Sequence, residues 1–568
     1  MSDPDPESSL DHSEAFAPLR VGGFRYLWTA SLFGNLGSFF QITAGSWLMW
    51  ELTASPAWVG WMTASRNLPL LVLALPAGVL ADRIHRSRML AGTQIAMGVS
   101  AAAMAVLTWL GWMNPVLLLA LGMLLGIGNA FNAPTWQSMV PDLVPRALVT
   151  SAVALNSVSF NAARAIGPAL GGVVVATLGA AAAFGLNAIS YGVVVIAVLL
   201  VGRGLAAHDP DGSSVARAMV TGIKFARHTQ AFRRVLALGT LFALGTAVLQ
   251  AMLPVKAEEV GGDAGGYGLL LGMMGAGAAL GGMTITRANR KLGSKSVPVT
   301  IALTGLSGAS AGWAPTLAVG AASMFAVGIF WIWTLANLNA SIQLMSPDWV
   351  RGRAVSLWLL AYAGMVPVGS ILAGVIAERI GAGPTMLVLS TATIGLAVVS
   401  RIWRVKDPTS VEPPEFSPRR THHHPHDDGG PVMIVNTWHI RDEDLPEFLS
   451  VMQRVRSARL ATGGTRWQLY RDVDEPHAYT EAFVIATWDE HLRQHQRIDD
   501  QTARILAQAR RLDESETGPI SRHYIGVDLN SVHAPESWQE LDQDHRAMHA
   551  VDGSVPLAKY RQRLSRNS

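Results

Sequence analysis

From about residue 20 to residue 405 the chain alternates long apolar runs with short polar breaks, and beyond that it changes to short mixed segments. A helix needs ~20 residues to cross the hydrocarbon core of a bilayer. Twelve runs reach that length, at 25–50, 57–81, 88–110, 115–138, 148–177, 180–202, 234–256, 266–286, 296–313, 316–340, 354–378 and 384–403. They predict an all-α polytopic membrane region of twelve transmembrane helices.

The remainder reads differently. Pro408 to Pro431, with Pro413-Pro414 and His422, His423, His424 and His426, has the composition of a solvated linker rather than a metal site. Val432 to Ile440 alternates as a strand, and Leu445 to Leu460 has helical spacing. Arg466 to Arg471 and Tyr479 to Trp488 read as strands joined at Asp474-Glu-Pro476. His491 to Leu512 is a charged helix, and His523 to Val527 closes as a strand. The order βαββαβ is the plan of a small α+β, ferredoxin-like soluble domain. Such domains often pair through their sheets, so self-association is one expectation for it. The tail 528–568 is polar.

Composition agrees with this division. Half of the 568 residues are hydrophobic and 15% are charged, against about 25% in a soluble domain. With no cysteine, disulfides and thiolate chemistry are excluded. Met1 to Glu14 is acidic and polar, so no cleavable signal peptide is expected. No cofactor, catalytic residue, metal site or nucleic-acid partner is expected.

The bases set the orientation. Arg20 and Arg25 precede the first run, and Arg83, Arg86 and Arg88 follow the second. Arg146 follows the fourth, and the segment after the sixth holds Arg203, Arg217, Lys224, Arg227, Arg233 and Arg234. Arg287, Arg290, Lys291 and Lys295 follow the eighth, Arg351 and Arg353 the tenth, Arg404 and Lys406 the twelfth. The opposite breaks hold chiefly Lys256 and Arg379, each beside acids. Because Lys and Arg collect on the cytoplasmic side, both termini are expected there.

The chain also repeats. Gln137-Ser-Met139-Val-Pro141-Asp142 recurs as Gln343-Leu-Met345-Ser-Pro347-Asp348, 206 residues on. Two duplicated six-helix halves form the transporter architecture in which substrate binds between them near midplane. The expected domains are a tail 1–20, a six-helix bundle 21–203, a connector 204–233 and a second bundle 234–405. A linker 406–431, the α+β domain 432–527 and the tail complete the chain.

Three groups of residues could carry function. The loop Gly78-Val-Leu-Ala-Asp82-Arg83-Ile-His-Arg86-Ser-Arg88 packs a glycine, an acid and bases between two runs. Asp82 could pair with arginines and a helix N-terminus, as a latch that breaks in another access state; the alternative is a topology signal. Gly282-Met-Thr-Ile-Thr286-Arg287 is a worn copy with threonine for the acid. The fifth run holds Arg164-Ala-Ile-Gly167-Pro168-Ala-Leu-Gly171-Gly172, a Pro-Gly cluster that bends a helix and permits close packing.

Arg66 and Arg164 lie inside spans, where a base is costly and usually faces a cavity or a partner. Each sits very roughly 10–15 Å from the outer end of its run, so the two could share a level. They either hold an anionic substrate or bond to helix carbonyls and amides. Asn35, Asn132, Asn161 and Asn337 could line the same cavity or join helices. Trp47, Trp50, Trp58 and Trp61 read as an aromatic belt. Proton coupling needs a carboxylate, and Glu51, Glu258, Glu259 and Glu378 all lie toward the outer ends.

The Gly78–Arg88 pattern resembles the loop signature of the major facilitator superfamily, and Gly167-Pro168 with Gly171-Gly172 resembles the helix-5 motif of its antiporters. Phe24-Arg25-Tyr-Leu27-Trp28, Asn35-Leu-Gly37, Leu52-Thr53-Ala-Ser55-Pro56 and Leu68-Pro69 resemble the transmembrane secretion effector branch, which includes the enterobactin exporter. Arg466-Trp467, Glu481-Ala-Phe483, Trp488 and His491-Leu-Arg-Gln-His495 resemble that branch's cytoplasmic extension. The resemblance implies proton-coupled efflux of a small molecule across a bacterial cytoplasmic membrane. A rival reading makes the α+β domain a monooxygenase-like enzyme using Asn436, Trp438, His439, Trp467 and His495.

Overall fold

The computed structural model describes residues 16–83, 86–139, 143–201, 226, 227, 229–346, 348–403, 431–488, 490, 491, 494, 500–515 and 518–526. They fall into two compact units, a helical one and a sheet-containing one.

In the helical unit α1 spans Gly22–Thr53 and ends on Ala54 in the left-handed region (φ 47°). The next helix, α2 (Pro56–Arg83), begins on a proline, whose missing N–H costs nothing in a first turn. Then come α3 (Arg86–Trp109) and α4 (Pro115–Met139), separated by a turn at Gly111 (φ 70°). Helix α5 runs from Val149 to Val201, ~80 Å of helix and more than twice a bilayer core. It is broken at Gly179, whose φ of 81° and ψ of 166° are not helical, so its limbs are 149–178 and 180–201.

The run expected as one helix at 234–256 is instead three pieces: α6 (Gln230–Thr246), α7 (Val248–Ala251) and α8 (Leu253–Glu259). Pro254 lies in the first turn of α8, and a proline there cannot donate back to the preceding helix. Asp263 caps α9 (Ala264–Leu292) by accepting the Gly266 N–H at 3.0 Å. The unit ends with α10 (Ser296–Trp313), α11 (Leu317–Met345), α12 (Asp348–Ile380) and α13 (Ala382–Ile402).

Among the described residues, eight stretches are long and apolar enough to cross a bilayer. Two of them, Arg146–Val201 and Ala264–Trp313, are 56 and 50 residues long and are interrupted at Gly179 and at the Gly293–Lys295 turn. Helix α1 has the length, at 32 residues, but is not among the eight; of α2 (28 residues) only residues 56–73 are fully described. Polar residues of α1, including Gln41, Thr43 and Ser46, are buried against neighbouring helices instead.

Packing divides the unit into halves. Helix α5 lies along α1 and α3, and α2 along α4; in the second half α10 packs on α13 and α11, and α9 on α11. The halves meet mainly through α5 with α9 and α2 with α12. One end carries Glu51, Glu258, Glu259, Asp263 and Glu378, and is called here the acid end. The opposite, basic end carries Arg88, Arg146, Arg290, Lys291 and Lys295.

The sheet unit is β1 (Val432–His439), α14 (Leu445–Ala461), β2 (Thr465–Arg471), β3 (Ala478–Ile485), α15 (Asp500–Arg511) and β4 (Ile520–Ile525). The strands lie in the order β2-β3-β1-β4, all antiparallel. Alternate residues of β1 (Val432, Ile434, Asn436 and Trp438) are buried, and Phe448 of α14 packs between Trp438 and Tyr479, 5.8 and 5.7 Å away. This is the expected βαββαβ order. Strand β3 stops at Ile485 rather than 488, because a bend at Ala486 turns the chain into helical residues around Trp488 and His491.

Candidate functional site

The candidate site is the contact between the helical halves. Along α5 and α9 the backbones approach so closely that only glycines fit. A methyl group on Gly172 would lie 2.7 Å from the Ala264 carbonyl oxygen and from Gly268 Cα. One on Gly268 would lie 2.6 Å from the Pro168 carbonyl oxygen. Gly272 faces Ala169, and Gly275 meets Arg164 and Ala165. The Gly-Pro cluster therefore has two faces: Gly167 and Gly171 receive Phe39 and Phe40 of α1, while Gly172 faces α9. A second seam joins Gly60 of α2 to Ser370 of α12, and Gly374 of α12 to Pro56 and Ala57. Small residues at such spacings let helices pack by close backbone contact.

Polar contacts also join the halves at the acid end. The Glu378 carboxylate accepts from Ser55 Oγ at 2.9 Å and from the Ala57 N–H at 3.1 Å. Trp50 donates its indole N–H to Glu258. Trp47 stacks on Tyr267 at 6.4 Å and donates to Glu51 at 2.6 Å. A hollow of about 420 Å³ lies here, lined from both halves by Trp50, Pro56, Glu258 and Ala382. The aromatic-belt reading thus suits Trp61, which is exposed, but not buried Trp47 or Glu258-bound Trp50.

Deeper in, the Arg164 guanidinium stands over the Trp331 ring at 4.5 Å, across the boundary between the halves. Tyr362 of α12 borders both, and Trp358 lies 5.8 Å from it. A cation over an indole face is stabilised by the ring quadrupole yet keeps donors for a ligand. Arg66 is part-buried on α2. It lies ten residues into its helix, ~15 Å, while Arg164 lies fourteen residues from Leu178, ~21 Å. The α5 limb ends within a residue of the expected run 148–177, so the count from its end exceeds the roughly 10–15 Å expected for Arg164.

The amides are placed more variously. Asn337 is buried and accepts from Asn289 Nδ2 at 2.7 Å, joining α11 to α9. Asn132 accepts from Gln94 at 3.1 Å, joining α4 to α3. Asn161 is exposed and bonds to its own helix at Ser157, and Asn35 reaches Ser31 at 3.5 Å. Gly78, Asp82, Arg83 and Arg86 stand on the backbone of α2 and α3, but their side chains lie outside the described residues; Arg88 is exposed. The repeated segments also lie partly outside them, at 140–142 and 347. Thr286, in the worn copy, is exposed on α9.

In the sheet unit Glu481 is fully buried. Its carboxylate accepts from Arg459 at 3.2 Å, Trp467 at 2.9 Å and Asn436 at 2.7 Å. Every oxygen has a partner, so this network reads as structural support. His439 is half-buried at the end of the interior strand β1, 3.8 Å from Glu475, and His495 lies outside the described residues.

Sequence reasoning missed Gly268, Gly272 and Gly275, although their small-residue spacing was visible. It also missed Trp331 and Tyr362, for which an apolar run gives no signal.

Comparison with known proteins gives a consistent result. A family profile described as transmembrane secretion effector matches residues 13–531. The staphyloferrin A transporter of Staphylococcus aureus is 24% identical over 384 residues, covering 66% of this chain and 94% of that protein. The multidrug efflux pump Tap of Mycolicibacterium fortuitum is 27% identical over 383 residues, covering 65% and 93%. Among solved structures, a bacterial homologue of the human lysosomal transporter Spinster, in an inward-facing and unoccupied conformation, is similar with a TM-score of 0.53. It is 14% identical and covers 68% of this chain and 96% of that one. The nucleoside transporter NupG is similar at 0.53, with 13% identity and coverage of 67% and 99%.

Proposed function

The chain belongs to the transmembrane secretion effector family of major facilitator transporters, and on that premise we propose that it exports a small amphipathic, anionic compound by alternating access. Family and fold are those of a transporter rather than an enzyme. The observation that carries the substrate reading is the Arg164–Trp331 pair, a cation and an aromatic face contributed by different halves; the export direction is supported by the family description and the efflux pump among its relatives. A carboxylate-bearing, partly apolar substrate would find both a charge and a stacking surface there. The names of the siderophore transporter and the multidrug pump support a substrate of siderophore, drug or metabolite type.

Twelve spans and two cytoplasmic termini complete this reading, with the basic end inside by the positive-inside rule. The seams and polar contacts between the halves described above run from the acid end to mid-depth, which supports a state closed outside. Efflux is coupled to proton entry. Gly78, Asp82, Arg83, Arg86 and Arg88 form the cytoplasmic latch, and the α+β unit regulates transport by self-association.

Everted membrane vesicles test the proposal. Concentrative uptake of an acidic, aromatic probe, abolished by a protonophore, is expected. Uptake that survives the protonophore rejects proton coupling, and no uptake of anionic probes rejects the substrate class.

A further inference from the structure

The first turn of a helix has N–H groups with no partner inside the helix. For α2 the partners can be traced one by one. Pro56 has no N–H. The Trp58 N–H reaches Ser55 Oγ at 3.4 Å, and the Val59 N–H reaches the Ser55 carbonyl at 3.3 Å. The Ala57 N–H remains, and its acceptor is Glu378, on α12 of the other half. The same carboxylate oxygen accepts from Ser55 Oγ. A residue of the second half therefore completes the cap of a helix in the first.

The second half uses the same device on itself. Glu259 accepts the Ala382 N–H at 3.0 Å and the Gly383 N–H at 3.2 Å, capping α13, with Lys256 3.5 Å away. That cap lies within one half and persists however the halves move. The Glu378 cap spans them and must break whenever the acid end opens, as must the Trp50–Glu258 bond beside it. A carboxylate at a helix N-terminus also gains from the helix dipole, so the contact depends on charge as well as geometry.

We propose that Glu378, assisted by Glu258 through Trp50, is the switchable clamp that holds the acid end of the two halves together. The inference goes beyond the export reading and rests on only one part of it, that the halves move apart at this end. The chain contains no cysteine, so paired spin labels can be introduced without removing native thiols. Trp112 and Trp313 are both exposed, one in each half at the acid end, and W112C/W313C reports their separation in the full-length protein in nanodiscs.

Glu378→Gln keeps an oxygen that can accept both bonds and loses only the charge. It is expected to raise the ratio of long to short distances about five-fold, the factor separating a charge-assisted from a neutral hydrogen bond. Glu378→Ala, or Glu378→Gln with Trp50→Phe, is expected to raise it more than ten-fold. Glu259→Gln removes the charge of the cap inside one half and should leave the distances unchanged. Wild-type distances in both Glu378 variants overturn the clamp, as does a Glu259→Gln shift as large as that of Glu378→Gln. Should the alanine variant aggregate, the isosteric glutamine decides alone. The measurement needs neither substrate nor gradient, so shifted distances in a protein that exports nothing reject the export reading and leave the clamp standing.

Discussion

Gly268→Ala isolates what holds α5 against α9. The added methyl group would lie 2.6 Å from the Pro168 carbonyl oxygen and 2.7 Å from Gly172 Cα. Neither atom belongs to a flexible side chain, so the helices themselves must part by most of an ångström. Overpacking of this kind costs about 1–3 kcal/mol, which corresponds to roughly 5- to 150-fold in the equilibrium between joined and parted halves. The loosening spreads along the seam, since Gly272 and Gly275 make their own contacts to Ala169 and Ala165. Gly282→Ala is the control, on the same helix with nothing within 4 Å. Both substitutions raise helix propensity by about 1 kcal/mol, so that gain cancels in the comparison and the seam remains. Initial efflux rate per expressed protein, with thermal unfolding in detergent, is the assay. Gly268→Ala should lower transport at least five-fold and reduce the melting temperature relative to Gly282→Ala. Adding Gly172→Ala should cost less than the sum of the two single changes, because the first methyl has already opened the gap the second needs. Equal behaviour of Gly268→Ala and Gly282→Ala would refute the reasoning.

Arg164→Gln should raise the KM for an acidic substrate about ten-fold or more while sparing a neutral one, and Trp331→Leu should weaken both; unchanged affinities in vesicle uptake reject the site. Asp82→Asn should impair transport without reducing membrane insertion, whereas Thr286→Ala should matter much less; equal and mild effects would reduce the loop to a topology signal. In the sheet unit, burial beside Trp488 and His491 holds the His523 imidazole below the usual histidine range. The unfolded chain then binds a proton more readily than the folded one. This contribution to stability is complete above about pH 6.5 and is lost as pH falls below it. His523 is half-exposed, so solvent weakens the effect; a urea midpoint that drops on acidification, and drops less in His523→Gln, is the expected result.

The spans could be read from the sequence because a bilayer imposes a length that few other structures need. The expected run 296–313 coincides with α10, and 115–138 differs from α4 by one residue. The break in the seventh run was also written there, in Pro254, but hydropathy counts a proline as nearly neutral and passes over it. The strands of the sheet unit were visible through alternation, as in β1, where burial of Val432, Ile434, Asn436 and Trp438 follows a period of two. The site was harder to read. Arg164 was conspicuous because a base in an apolar run demands a partner. That partner, Trp331, is one aromatic residue among many in an apolar helix and becomes special only when two halves meet. Trp50 shows the same limit: sequence places it near an interface, and only its contact with Glu258 shows that the interface is with another helix rather than lipid.

The two carboxylate caps at the acid end show how a duplicated architecture can separate fixed from moving joints. Both exploit one physical fact, that a helix start offers N–H groups and a partial positive charge to any nearby anion. Glu259 satisfies α13 from α8, inside one half, and so adds rigidity. Glu378 satisfies α2 from the other half, and so adds stability to one arrangement only. A contact of that second kind must be weak enough to break within a transport cycle. One N–H and one hydroxyl on an exposed carboxylate meet that condition, where a buried ion pair would cost several kcal/mol to part. The glycine seams meet it differently: close packing of smooth backbones has no side chains to disentangle, so halves joined by it can separate as rigid bodies. Loss of a glycine and loss of the carboxylate should therefore differ in signature, the first lowering stability together with transport, the second shifting the balance of states while the fold holds.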